Sequence, residues 1–291
     1  DAIQFLWDQT VRGLNKGLSA DELTAFVQLP ARFDRTYFTQ QFYGLVEHHV
    51  RQIQCGLIGW FDGVESSLFP LPPIERATRL IEGFGGRDAV REQSARALER
   101  GDVRWALELA TWLVRSQPGP HGRADGGTPE ERAQLAAVLR TIAQRTTSAN
   151  IRSWCSTRAL ELEGQLDLSR LRGHHFRAAE VQADPVGALQ VLRVLLDPTR
   201  ARDVNRVLAL DFGDGRRGGL HIRHGVAVPT DGARADVRCA LSAAGWAQVL
   251  AGRQSVDAAF ADGSITVLQG DAAEARRLLA CFDHASLAAV A

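Results

Sequence analysis

The sequence predicts an α+β chain of two domains: an all-helical one over residues 1–173, then a small α+β one with an antiparallel sheet over residues 174–291. Three observations predict it. Apolar residues recur at helical spacing through the first half, between well-marked helix starts and stops. Around Gly173 the period changes to strand alternation broken by tight glycine turns. A length of 291 residues with 45% hydrophobic content lets each part bury its own core.

The opening Asp1-Ala-Ile-Gln-Phe-Leu-Trp7 reads as mid-helix, and with no methionine in the chain the sequence is expected to be a fragment or a processed product. Ser19-Ala-Asp-Glu22 is a capping box, whose hydroxyl and carboxylate satisfy free backbone amides, and it opens a helix through Phe26 that Pro30 closes. Phe38, Phe42, Leu45, Val46, His49, Val50, Ile53 and Leu57 share one helical face, which predicts a long buried helix with Glu47 and Arg51 paired on its other side. Gly59-Trp-Phe-Asp-Gly63 ends it. Pro70-Leu-Pro-Pro73 then sets proline at a helix start, where its missing amide is harmless.

Two short helices meet at Gly101-Asp102 with Ala106, Leu109, Ala110 and Leu113 facing inward, which resembles a single tetratricopeptide-like hairpin without a second copy. Residues 116–127 are rich in proline, glycine and charge and read as a mobile surface loop. Thr128-Pro-Glu-Glu131 starts a helix to about Arg145, and another runs from Asn150 to Glu163.

In the second domain a helix over Pro185–Leu196 precedes strands at Val207–Phe212, Gly219–His224 and Val226–Val228, an antiparallel meander. Asp236–Leu241 adds a strand, Ala244–Ala261 helices, Ser264–Leu268 a last strand and Asp271–Cys281 a last helix. Strands and helices are segregated, as in α+β domains.

Zero net charge with no long run of one sign excludes the basic stripe that nucleic-acid binding needs. No apolar run reaches membrane-spanning length, and the compartment stays open. Cys55, Cys155, Cys239 and Cys281 lack CxxC spacing and read as small buried residues. Trp7, Trp60, Trp105, Trp112, Trp154 and Trp246 fall on apolar helix faces and are expected in the core.

Histidines offer little metal chemistry. His48 and His49 diverge by about 100° on a helix and cannot grip one ion. His49 lies in the apolar stripe, whereas His48 is the better candidate to face a neighbouring domain. His221 and His224, three apart on a strand, point to opposite faces, and His174-His175 sits at the domain junction. Gly213-Asp-Gly-Arg-Arg-Gly-Gly219 lies between two strands, so it is a hairpin loop with Arg216 and Arg217 as solvated tips rather than a phosphate cradle.

A family resemblance rests on motifs that occur in order along most of the chain. Asp8-Gln-Thr-Val-Arg12, Asn15-Lys-Gly17, Tyr43-Gly44, His48, Gly59-Trp-Phe-Asp-Gly63, Pro70-Leu-Pro-Pro73, Gly85-Gly86, Gly101-Asp-Val-Arg-Trp105 and Ala159-Leu-Glu-Leu162 resemble the dimerisation region of alkylsulfatases of the metallo-β-lactamase superfamily. Gly263-Ser-Ile-Thr-Val-Leu-Gln-Gly-Asp271, Leu278-Leu279 and Phe282-Asp283 resemble their sterol-carrier-like carboxy-terminal domain. The departures are Trp7, where relatives carry histidine, and His48-His49, Gln54 and Gly56, where they carry His-Asn, a tyrosine and an arginine.

The resemblance implies the dimerisation and substrate-chain-binding portion of a zinc-dependent sulfuric ester hydrolase that acts on alkyl sulfates. This chain has no HxHxDH cluster to bind zinc, so it is expected to hold no cofactor and not to be catalytic alone. The implied partners are a second copy, an amino-terminal metallo-β-lactamase-type domain in the same or a separate chain, and an alkyl-chain or lipid ligand. Tyr43, His48 and Arg51 are the candidate substrate contacts, arginine because its fork matches sulfate oxygens. Two other readings compete: a free-standing lipid- or fatty-acid-binding protein without hydrolase activity, and a tetratricopeptide-like scaffold.

Overall fold

A computed structural model describes residues 1–168 and 175–287, and the chain divides into two compact units, Asp1–Arg170 and Leu171–Ala291. The first is helical: α1 (Ala2–Leu14), α2 (Ala20–Phe26), α3 (Val46–Ile58), α4 (Pro73–Gly83), α5 (Arg87–Glu99), α6 (Val103–Arg115), α7 (Pro129–Arg145) and α8 (Ala149–Leu162). Local chemistry sets most of these ends. Ser19 and Thr128 form the expected capping boxes, and Pro73 starts α4. Gly101, at φ 80°, closes α5 while Asp102 accepts a hydrogen bond from the Trp105 amide and opens α6. Ala106, Leu109, Ala110 and Leu113 are buried as that hairpin requires. Phe84, Trp105 and Trp112 then stitch α4 to α6, with ring centroids 5.8–6.1 Å apart.

The long buried helix from Phe38 is not formed. Residues 31–39 make two short 3₁₀ turns, Thr39 bonds its hydroxyl to the Thr36 carbonyl, and Leu45 is extended. Helix α3 begins only at Val46, whose amide donates to the Gln41 side chain at 2.8 Å. Side-chain hydrogen bonds to nearby backbone compete here with helical ones. Phe38 is consequently 92% exposed, and His49 lies in solvent against Gly44 instead of in a core. The Glu47–Arg51 pair is replaced as well: Glu47 binds Arg104 and Arg51 binds Asp21.

The loop at 116–127 is closed on itself. Pro118 bridges Ala124, the Gly126 amide donates to the Gln117 carbonyl at 2.9 Å, and Asp125 pairs with Arg158 on α8. The tight approach of Gly119 and Gly126 to opposing backbone explains its glycines.

The second unit comprises α9 (Ala178–Ala183), α10 (Pro185–Val191), β1 (Asn205–Asp211), β2 (Arg217–Arg223), β3 (Val226–Thr230), β4 (Val237–Ala240), α11 (Ala243–Leu250), α12 (Val256–Ala261), β5 (Thr266–Gln269) and α13 (Ala272–Leu279). Its fold class is the expected α+β, but the sheet is mixed, in the order β3-β2-β1-β4-β5, because β1 and β4 run parallel. A two-residue turn with positive φ at His224 and Gly225 joins β2 to β3. From β3 the chain crosses back over one sheet face to reach β4. Gly232 in this crossover lies against Gly219 and Ala209, where a Cβ on Gly219 would come 2.9 Å from the Gly232 Cα. Gly218 and Gly219 therefore belong to strand β2, not to the hairpin loop, and leave room on opposite faces: Val186 of α10 lies against Gly218. Arg217, expected as a solvated tip, donates to the crossover carbonyl of Asp231 at 3.0 Å, and Arg216 donates to the Ala183 carbonyl at 2.8 Å. Leu208, Leu210, Leu220, Ile222, Val237 and Cys239 share one core with Leu189, Trp246 and Leu278. Each fully buried aliphatic side chain there contributes about 1.5–3 kcal/mol.

Candidate interaction surface

The predicted contact residues lie at the start of α3 and just before it. Tyr43 is exposed, and its carbonyl accepts a hydrogen bond from the Ser148 hydroxyl at 2.7 Å. His48 is exposed on α3. Arg51 is on the same helix, three residues on, but its guanidinium is held by Asp21 of α2 at 2.5 Å. Beside them the Arg104 guanidinium holds the Glu47 carboxyl below the usual carboxylate range. The departures Gln54 and Gly56 differ in role: buried Gln54 donates to the Phe61 carbonyl at 2.9 Å and fastens the loop after α3, whereas Gly56 is exposed with open space around it.

Among the described residues, no three His, Cys, Asp or Glu side chains converge as a metal ion would require. His221 instead bonds the Asn205 side chain at 2.8 Å, His224 sits in the hairpin turn, and His175 is exposed. His174 lies outside the described residues. The described residues do not fit zinc.

What the helical unit does present is apolar surface. Tyr37, Phe38, Tyr43, Ile58, Trp60 and Phe69 are all exposed, and Tyr37 packs only edge-on or tilted against Phe38 and Phe42. Cys55 is exposed on α3, close in sequence to Ile58 and Trp60, while Cys155, Cys239 and Cys281 are buried. Burial raises the Cys239 thiol to about 11. Of the tryptophans, Trp246 is fully buried, but Trp7, Trp60 and Trp154 are exposed, contrary to the expectation of a core position. A helix face reads as apolar whether neighbouring helices or another molecule cover it, so periodicity does not separate the two. Phe69 has no periodic context at all. Its one signal is a large aromatic standing directly before a proline-rich loop.

A helical unit with this much uncovered apolar surface, followed by a sheet backed by helices on one core, has the character of an assembly surface. Comparison with known proteins agrees. The family model described as alkyl sulfatase dimerisation matches residues 19–165, and that described as alkyl sulfatase C-terminal matches residues 182–288. The chain belongs to the alkylsulfatase family and carries its dimerisation and carboxy-terminal regions. It is 34% identical to the linear primary-alkylsulfatase of Pseudomonas sp. (strain ATCC 19151), over 97% of this chain and 54% of the relative. An (R)-specific secondary-alkylsulfatase of a Pseudomonas species is 29% identical, over 93% of this chain and 40% of that protein. The solved structure of a stereoselective inverting sec-alkylsulfatase from Pseudomonas sp. superposes with a TM-score of 0.80 at 27% identity, covering 99% of this chain and 44% of that one. The chain thus spans about half the length of the relatives it matches. With both regions matched to alkylsulfatases, the free-standing lipid-carrier reading finds no support, and the α5–α6 hairpin falls inside the dimerisation match.

Proposed function

We propose that this chain is the dimerisation and substrate-chain-binding portion of a zinc-dependent alkylsulfatase-like hydrolase. In this reading residues 1–173 bring two copies together, and residues 174–291 form a sterol-carrier-like domain that offers an apolar wall to the alkyl chain. An amino-terminal domain of the metallo-β-lactamase type, in the same or a separate chain, supplies the zinc-activated water that cleaves the sulfate ester. The observation that carries the reading is the exposed aromatic and aliphatic surface over residues 37–71, which lies within the stretch matched to alkyl sulfatase dimerisation. Tyr43, His48 and Arg51, within the same stretch of sequence, serve as contacts for the anionic head group. Arg51 serves only where the sulfate competes with or joins the Asp21 carboxylate.

Sedimentation and sulfate-release assays test this together. The 291-residue chain is expected to sediment as a dimer and to release no sulfate from dodecyl sulfate by itself. Release is expected once the leading segment of the linear primary-alkylsulfatase relative is joined ahead of Asp1. A monomer at micromolar concentration, or stoichiometric tight zinc on the chain alone, overturns the proposal.

A further inference from the structure

Two runs of the helical unit, residues 36–46 and residues 66–74, hold no charged side chain in a chain that is 23% charged. Their exposed parts differ in chemistry. In the first run Tyr37 is 71%, Phe38 92% and Phe42 39% exposed. The Tyr37 ring centroid lies 5.6 Å from that of Phe38 and 5.3 Å from that of Phe42, so the three form an aromatic platform open to solvent. In the second run residues 68–73 are exposed one after another, and Phe69 is 93% exposed. Proline rings fix φ at Pro70 and Pro72, while Phe69 and Leu71 each precede a proline and so avoid the helical region. Pro72, at φ −50° and ψ 140°, has a polyproline-like backbone. Such a segment turns once in three residues, which puts Pro70 and Pro73 on one edge and Phe69 and Pro72 on the next. The arm is thus held extended before anything binds it.

Stiff proline-rich segments are recognised by surfaces lined with aromatic rings, because they lose little entropy on docking and their rings lie against the aromatic faces. The helical unit carries both halves of such a pair without joining them in one copy, since Phe38 and Phe69 each stay more than nine-tenths exposed. A second copy offers each half its complement. About a two-fold axis the arm of each copy meets the platform of the other, so the contact is made twice and closes. No like charges meet when the two runs approach. Both runs also fall within residues 19–165, the stretch matched to alkyl sulfatase dimerisation. We propose that the arm over residues 68–73 of one copy docks on the Tyr37, Phe38 and Phe42 platform of the other, and reciprocally. This pairing rests on the proposed dimer and names its mating segments.

Sedimentation and photocrosslinking test it. The full chain carrying Pro70→Ser and Pro72→Ser keeps Pro73 at the start of α4. Its dimer is expected to be weaker than the parent's by roughly tenfold or more, with an unchanged urea midpoint at dissociating dilution. A benzophenone placed at the exposed position 69, as Phe69→p-benzoylphenylalanine, reads the contact directly and decides the matter if the serine variant is unstable. With isotopically heavy and light copies mixed, heavy-to-light crosslinks from position 69 are expected on residues 37–43. An arm variant that dimerises with parent affinity, or crosslinks that fall elsewhere, overturns the pairing and leaves the hydrolase reading standing. Crosslinks onto the leading segment, in the fusion with that part of the linear primary-alkylsulfatase relative, overturn it as well, because the arm would then serve that region. A parent chain that sediments as a monomer overturns the pairing together with the dimer on which it rests.

Discussion

Glu131 is 2% exposed and accepts hydrogen bonds from Arg87 Nε at 2.9 Å, Arg87 Nη2 at 2.6 Å and the Thr128 amide at 2.8 Å. Arg87 also reaches Ser116 and the Leu113 carbonyl, so one ion pair ties the starts of α5 and α7 to the end of α6. A buried charge deprived of its partner is far more damaging than a broken surface pair. Arg87→Gln, which strands the buried Glu131 carboxylate, is therefore expected to lower unfolding stability by about 3–5 kcal/mol in urea titrations at fixed protein concentration, and a loss below about 1 kcal/mol would contradict this role. The Glu47 carboxyl is held low by Arg104, so its contribution is fully present above the ordinary glutamate pKa of about 4.3 and fades as pH falls through the lowered value. Arg104→Gln should reduce stability at pH 7 and leave it nearly unchanged at pH 2, with the difference closing below pH ~4. Equal losses at both pH values would show that Arg104 acts by packing instead. At this scale the sequence was legible where chemistry is local. The partners of Glu47 and Arg51 were not, because each comes from another helix.

The same division holds for elements. The capping boxes at Ser19 and Thr128, the proline start at Pro73 and the Gly101-Asp102 corner could be read because each depends on a few adjacent residues. The start of α3 could not. Phe38 and Phe42 fall at helical spacing, yet 3₁₀ turns and the Gln41 cap on Val46 place them outside the helix. The parallel β1–β4 pairing was equally hidden, since it depends on a crossover that passes over two other strands. Its glycines make a prediction of contrast. At Gly219 an added methyl meets backbone at 2.9–3.1 Å, so Gly219→Ala should destabilise by roughly 1–3 kcal/mol. At Gly56, inside α3, an added methyl meets open space and gains helix propensity. Thermal melts should rank Gly219→Ala well below Gly56→Ala, and the reverse order would refute the crossover constraint.

For the molecule as a whole, exposed side chains give the assembly prediction its reporter. Cys55 lies on α3 close in sequence to Leu57, Ile58 and Trp60, all exposed, whereas the other three thiols are buried. If this surface joins two copies, alkylation of Cys55 should accelerate as the chain is diluted through dimer dissociation, while Cys155, Cys239 and Cys281 stay unreactive until denaturation. A rate independent of concentration would place the interface elsewhere. The candidate contacts Tyr43 and His48 rest on motif order and Arg51 on the match of its fork to sulfate oxygens, and the exposed tryptophans were misjudged because sequence cannot tell an intramolecular neighbour from an intermolecular one. The crossover carries a last consequence, for folding. Its residues lie across β1 and β2 and cover one face of both strands, so its native contacts need that pair in place. The local β1–β2–β3 hairpins are therefore expected to form in the folding transition state ahead of the long-range β1–β4 ladder, and substitutions in β4 that slow folding as strongly as those in β1 and β2 would refute this. The β4–β5 edge, interrupted by a bulge at Arg238 and Cys239, is expected to exchange its amides before the rest of the sheet.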